Sequence, residues 1–265
     1  MWTVLRCPDA DTRSVTQLID AIERIDHDQA CIELTDERLV EVLAVLYLMF
    51  NEGYLTSAGS IPMRRDLAED AAWLTALVTR LLPGEPEPLG LLALMRLHLA
   101  RAEARFTEAG ELILLQDQDR FRWDRAMITE GITLIEQAAA LRRPGPFQLE
   151  AAIIACHAEA ESWEATDWPQ IVILYDLLLK MRPSPVVRLN RAVALRQVLG
   201  LEAALAEVNA LESDLNNYHL FHAIRGELLL EMGQREQARA SALQALGLTQ
   251  NRAEQSLLAR RALEW

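Results

Sequence analysis

Apolar residues recur at three- and four-residue intervals along almost the whole chain, the spacing of one helix face. Ser14 is placed to cap a first helix over 14–25, where Leu18, Ile22 and Ile25 line up. The rest of 1–34 reads as a tail and linker. Thr35, followed by Asp36 and Glu37, opens a stronger helix that runs into Asn51, Glu52, Gly53 and Tyr54, with Gly53 as its breaker. Its 42–50 stretch is apolar nearly all round, which predicts a helix central to the fold. The pattern predicts further helices over 61–82, 88–105, 123–141, 147–160 and 168–181, parted by proline-rich breaks at 83–88, 142–146 and 182–185. Beyond these, helices pair: 186–199 with 201–211, and 217–232 with 234–248. A last helix starts at Asn251.

One stretch departs from helical spacing. Gly110 leads into an apolar run, 112–115, and then into Asp117, Gln118, Asp119, Arg120, Arg122, Trp123 and Asp124. A short irregular or β-like insertion is expected near 110–118. Trp123 would fill a core pocket and an aspartate–arginine network would pin the loop. Two readings stand side by side: a structural clasp, or a site for a ligand or partner.

The paired helices repeat. Gly200 and Gly233 stand 33 positions apart, each between two helices and each followed by small alanines. A helix–turn–helix unit of about 34 residues is the tetratricopeptide period. One such pair cannot bury its own apolar face, so neighbours stack. The expected fold is all-α, with helical hairpins stacked as an α-solenoid that is tetratricopeptide-like at the C-terminus. Its parts are the tail 1–34, an irregular helical domain 35–182 and repeats 183–265, packed as one continuous unit. Asn190, Arg191, Gly200, Tyr218, His219, His222 and Gly233 are the expected repeat-packing residues.

Hydrophobic residues at 51% supply a large core, and 25% charged residues is an ordinary globular figure. The net charge of −13 repels phosphate backbones and argues against direct nucleic-acid binding. Arg101 and Arg105 share a helical face and read as a solvated surface pair. The three cysteines, Cys7, Cys31 and Cys156, form no CxxC and suit a reducing compartment. The N-terminal residues have no apolar core of a signal peptide. The longest apolar run, 42–50, is far shorter than the roughly 20 residues a bilayer needs. A cytoplasmic location without membrane contact is expected.

Candidate chemistry is sparse. His219 and His222 share a helical face but want a third ligand before they can hold a metal, and Glu227 is poorly placed for that. Asp117 and Asp119 begin like a calcium loop, but Phe121 and the missing glycine break it. Cys156 and His157 are adjacent, so on a helix they point about 100° apart and form no nucleophile–base pair. There is no GxGxxG, P-loop, HExxH or GxSxG. No enzyme activity, cofactor or metal is expected.

Several segments together resemble one family: VLAVLYLMFNEGY (42–54), LGLLALMRLHLARAEAR (89–105), GELILLQDQDRFRWDRAMITEG (110–131), GPFQLEAAIIACHAEA (145–160), TDWPQIVILYDLLL (166–179), SPVVRLNRAVAL (184–195) and YHLFHAIRGELLLEMG (218–233). The chain resembles the C-terminal tetratricopeptide-like extension of bacterial extracytoplasmic-function (ECF) sigma factors of the sigma-70 family. The resemblance spans roughly 35–264, and its most specific motifs are NEGY and DQDR-x-x-WD. It implies a regulatory or scaffolding role in transcription, through docking of sigma domains or RNA polymerase. Asn51, Glu52, Tyr54, Asp117, Gln118, Asp119, Arg120, Trp123 and Asp124 are then the expected partner site or clasp. Neither of the two DNA-reading sigma domains is present, and 1–34 lacks a basic recognition helix. The chain is therefore expected to be a fragment, a truncated product or a free-standing descendant of the extension. The competing expectation is a small-molecule-sensing scaffold with Trp123 and Arg120 in a pocket wall.

Overall fold

The computed structural model of the chain describes residues 36–59 and 63–265. The expected tail, the 14–25 helix, the Thr35 cap and the 61–62 helix start lie outside these residues. Among the described residues the fold is all-helical apart from two two-residue strands. The helices are α1 (Asp36–Tyr54), α2 (Arg65–Leu81), α3 (Pro86–Leu99), α4 (Arg125–Ala140), α5 (Pro146–Glu159), α6 (Trp168–Met181), α7 (Pro185–Leu199), α8 (Leu201–Asn209), α9 (Glu212–Leu215), α10 (His219–Glu231), α11 (Arg235–Leu248) and α12 (Arg252–Glu264).

Local chemistry sets the boundaries. Pro86, Pro146 and Pro185 end the preceding breaks and open α3, α5 and α7, at positions where a missing N–H costs nothing. Asp124, Asp167 and Asn251 accept from the free amides of Met127, Gln170 and Glu254 and so cap α4, α6 and α12. Gly200 and Gly233 turn the chain with φ of 89° and 76°, a left-handed conformation that suits glycine.

Gly53 is not a breaker. It lies inside α1, and a Cβ there would stand 2.4 Å from the Ala68 nitrogen. The residue is small because the α1 and α2 backbones meet at that point.

The core consists of two apolar clusters that meet at α5. Phe147, Ala151 and Ile154 belong to the cluster of α1–α4, whereas Leu149 and Ile153 belong to that of α6–α12. The 42–50 stretch is largely buried, with Leu43, Leu46, Tyr47 and Phe50 in the core, but α3 takes the more central place: Leu91, Ala93, Leu94, Met95 and Leu97 are wholly buried, and α3 packs on α2, α4 and α5 as well as on α1. Each helix packs chiefly on elements one or two places away in the chain. The exception joins the two ends of the described fold: β1 (Ala58–Gly59) pairs in parallel with β2 (Gln250–Asn251).

The 110–118 insertion is β-like as expected. Phe106 and Leu112 form an antiparallel bridge, and the Ile113 amide donates to the Arg105 carbonyl at 2.7 Å. Gly110 turns this loop with a φ of 80°. Two short 3-10 turns, Leu115–Asp117 and Arg120–Arg122, then carry the chain to α4.

Candidate functional site

The NEGY segment and the DQDRFRWD segment meet inside the protein, joined by two arginines at the end of α3. Tyr54, the last residue of α1, stacks on Phe50 with ring centroids 5.5 Å apart and lies 4.9 Å from the His98 ring. The Arg105 guanidinium sits 3.5 Å above the Tyr54 ring and donates to the Tyr54 carbonyl. Arg101 donates to the Tyr54 hydroxyl at 3.2 Å, and its guanidinium carbon is 5.9 Å from the centre of the Trp123 ring. Arg120 lies 4.6 Å from the same indole centre.

Arg101 and Arg105 are therefore not a solvated pair: they are 3% and 4% exposed. An i,i+4 arginine pair is usually solvated, which is why the sequence suggests a surface pair. The signal that pointed the other way is their setting, with alanines between them and an all-round apolar helix before them.

Arg120 clasps α5 to this junction. Its Nη1 donates to the carbonyls of His157 and Ala160, at 2.5 and 2.8 Å. These are among the carbonyls that the end of a helix leaves without a partner. The expected aspartate–arginine network is replaced by these main-chain contacts. Among the described residues, no ion pair joins Asp117, Asp119 or Asp124 to Arg120 or Arg122. Asp119 instead accepts from the Phe121 amide at 2.9 Å, and the Asp124 amide donates back to the Ala100 carbonyl at 2.8 Å. Gln118 donates to the Ile113 carbonyl at 3.1 Å. In the N-terminal motif, Glu52 accepts from the Ser57 amide at 3.1 Å, and Asn51 is half-buried.

Asp117 faces elsewhere. With Glu111, Ile113, Arg260, Arg261 and Glu264 it lines a groove of about 260 Å³ between the loop and α12. Trp123 and Arg120 are not in its wall.

Several of the expected repeat-packing residues have defined partners. Arg191 pairs with Asp176 at 2.7 Å, and Asn190 is buried in α7. His219 Nε2 lies 3.1 Å from Glu254 Oε2, both buried, with the Tyr218 ring 5.4 Å from that of His219. His222 donates to the Asn216 carbonyl at 2.7 Å. Among the described residues, no group of three or more His, Cys, Asp or Glu is placed to hold a metal ion.

The electrostatics of the junction are one-sided. Burial, then Arg101, Arg105 and His157, hold His98 well below the usual imidazole range. Burial, then Arg101 and Arg120, push His157 down to about 3. Both rings are neutral at physiological pH, so neither can act as a charged acid there. Burial pushes the Cys156 thiol up to about 11, which leaves it protonated and a poor nucleophile. The arrangement holds positive charge in a buried interior, and Cys156 and His157 do not form a nucleophile–base pair in it.

The architecture defines an all-helical protein built around an arginine–aromatic junction. Residues 38–139, which include both motifs, match the model of a family of unknown function, DUF6596. The chain is 47% identical over 218 residues to the uncharacterized protein R00370 of Rhizobium meliloti (strain 1021), a match covering 82% of this chain and 52% of that protein. The chain thus spans about half the length of the curated relative it matches. No solved structure matches. No helix among the described residues is long and apolar enough to cross a membrane.

Proposed function

We propose that the chain is the non-catalytic interaction module of an ECF-type sigma factor, acting in transcription initiation or its regulation by docking protein. The observation that carries this reading is where the motifs of the resemblance lie. NEGY and DQDR-x-x-WD meet at one buried junction, where their side chains hold helices together and present no reactive group. Function then falls to the outer surface of a helical array, as in tetratricopeptide stacks. The relative is longer than this chain, and the match covers 52% of it, which supports a module that works within a larger protein. The array reads as an α-solenoid of helical hairpins with tetratricopeptide-like pairs from α7 onward, in a cytoplasmic bacterial protein whose partner is a sigma domain or polymerase.

Co-expression with the matching sigma domains, followed by size-exclusion chromatography, tests this. A stoichiometric complex is expected. Failure to recover sigma domains or polymerase, with the chain folded, would overturn it.

A second reading, a small-molecule-sensing scaffold, is favoured by the groove beside Asp117, which sets Arg260 and Arg261 against Glu111, Asp117 and Glu264. A zwitterionic metabolite suits such walls. A thermal-shift screen in which no zwitterion stabilises the chain would remove this reading.

A further inference from the structure

Among the described residues, the junction holds more positive charge than its surroundings answer. Arg101, Arg105 and Arg120 are each at most 9% exposed. Among the described residues none of the three forms an ion pair. Their partners are a phenol oxygen, an imidazole, three main-chain carbonyls and aromatic faces, all of them neutral.

The two buried histidines cannot supply a countercharge. Glu254 acts on Arg105 and Glu164 on Arg120 only from beyond ion-pair distance. Asp119 and Asp124 are occupied with main-chain amides. A buried cation without a counterion is costly, and its hydrogens want charged acceptors.

Donors without acceptors gather at the same place. Arg101 Nε, Arg120 Nη2 and Trp123 Nε1 are all buried and have no hydrogen-bond partner within the described residues of the protein. Arg101 and Arg120 lie 5.9 and 4.6 Å from the centre of the one indole that carries the third donor. Unsatisfied buried donors are uncommon in folded proteins, and here two belong to arginines that lie over the indole carrying the third.

We propose that this junction binds a small oxyanion, a carboxylate or phosphate group, held by Arg101 with Arg120 and the Trp123 indole N–H as further donors. Guanidinium forks match both groups in geometry. The site goes beyond the docking function, because its ligand would sit inside the fold and set the packing of α1, α3 and α5 rather than form the docking surface.

The test uses the full chain. Inorganic phosphate and, separately, citrate are titrated at constant ionic strength set with sodium chloride, with indole fluorescence and melting temperature as readouts. A saturable change in both is expected, with W123F losing the fluorescence response. R101Q should bind at least about tenfold more weakly, as expected for one lost charge-assisted contact. R122Q, an exposed neighbour, should titrate like the parent. If R101Q does not fold, R101K replaces it: it keeps the cation, loses the fork and should still bind several-fold more weakly. The proposal is overturned if the parent shows no saturation below about 50 mM. It also fails if W123F keeps the fluorescence response, or if the arginine variant saturates where the parent does.

Discussion

The side-chain amide of Asn251 donates to the main-chain carbonyl of Thr56 at 2.8 Å, across 195 residues of sequence. Asn251 is wholly buried, and its oxygen also accepts from the Glu254 amide at 3.1 Å. One side chain therefore caps α12 and ties it to the segment that follows α1. This contact, with the β1–β2 pair beside it, turns a row of locally packed helices into a closed structure. Asn251→Ala is expected to cost about 2–4 kcal/mol, the sum of a lost cap and an orphaned carbonyl. Urea denaturation checks it, and a cost under about 0.5 kcal/mol, the size of an ordinary surface change, would mean that the two ends are not coupled.

Arg120 and its neighbour Arg122 should separate cleanly. Arg120→Met leaves the His157 and Ala160 carbonyls without their donor, at a cost of about 2–4 kcal/mol. Arg122→Ala, at an exposed position, should stay within about 0.5 kcal/mol. Asp119→Ala, which removes only the bond to the Phe121 amide, should fall between them at about 1 kcal/mol. Equal effects for all three in denaturant midpoints would count against the clasp.

Two glycine-to-alanine changes should differ in sign. At Gly53 the new methyl meets the Ala68 backbone, so the α1–α2 contact must open. That strain of about 1–3 kcal/mol outweighs the helix-propensity gain of about 1 kcal/mol, and the net effect is destabilising. At Gly247, in α11, nothing lies within 4 Å, and alanine should stabilise by about 0.5–1 kcal/mol. Thermal melts of the two variants decide this.

Glu150 makes stability depend on pH. Burial, opposed by Arg182 and by a hydrogen bond from Tyr47, pushes its carboxyl up from 4.5 to about 7. Between those values the folded protein holds a proton that the unfolded chain has released, so stability falls as pH rises through the window. Relative to Glu150→Gln, the parent should lose on the order of 2–3 kcal/mol between pH 4.5 and pH 8. Denaturation of both proteins at each pH measures the difference. A pH-independent difference would show that the carboxyl is ionised throughout.

The candidate site was partly legible. The burial of Trp123 was expected from the sequence, but the cap at Asp124 was not, because the helix was expected to begin at residue 123 rather than at Arg125. The partners of Arg120 were not legible, because the carbonyls it bonds belong to residues about forty positions away on another helix. Arg101 and Arg105 were misread for a related reason. A side chain's sequence position does not say whether water or Tyr54 and Trp123 stand opposite it.

By itself the sequence placed most of the described helices and the turns at Gly200 and Gly233, since each depends on residues within a few positions and on steric limits of the backbone. The 168–181 helix is found where spacing alone placed it. Only the tertiary structure decided that α3 and α5 rather than α1 occupy the centre, that the two ends close through Thr56 and Asn251, and that three arginines share a buried interior. Burial and pairing are properties of what lies across a contact, and no local pattern encodes them.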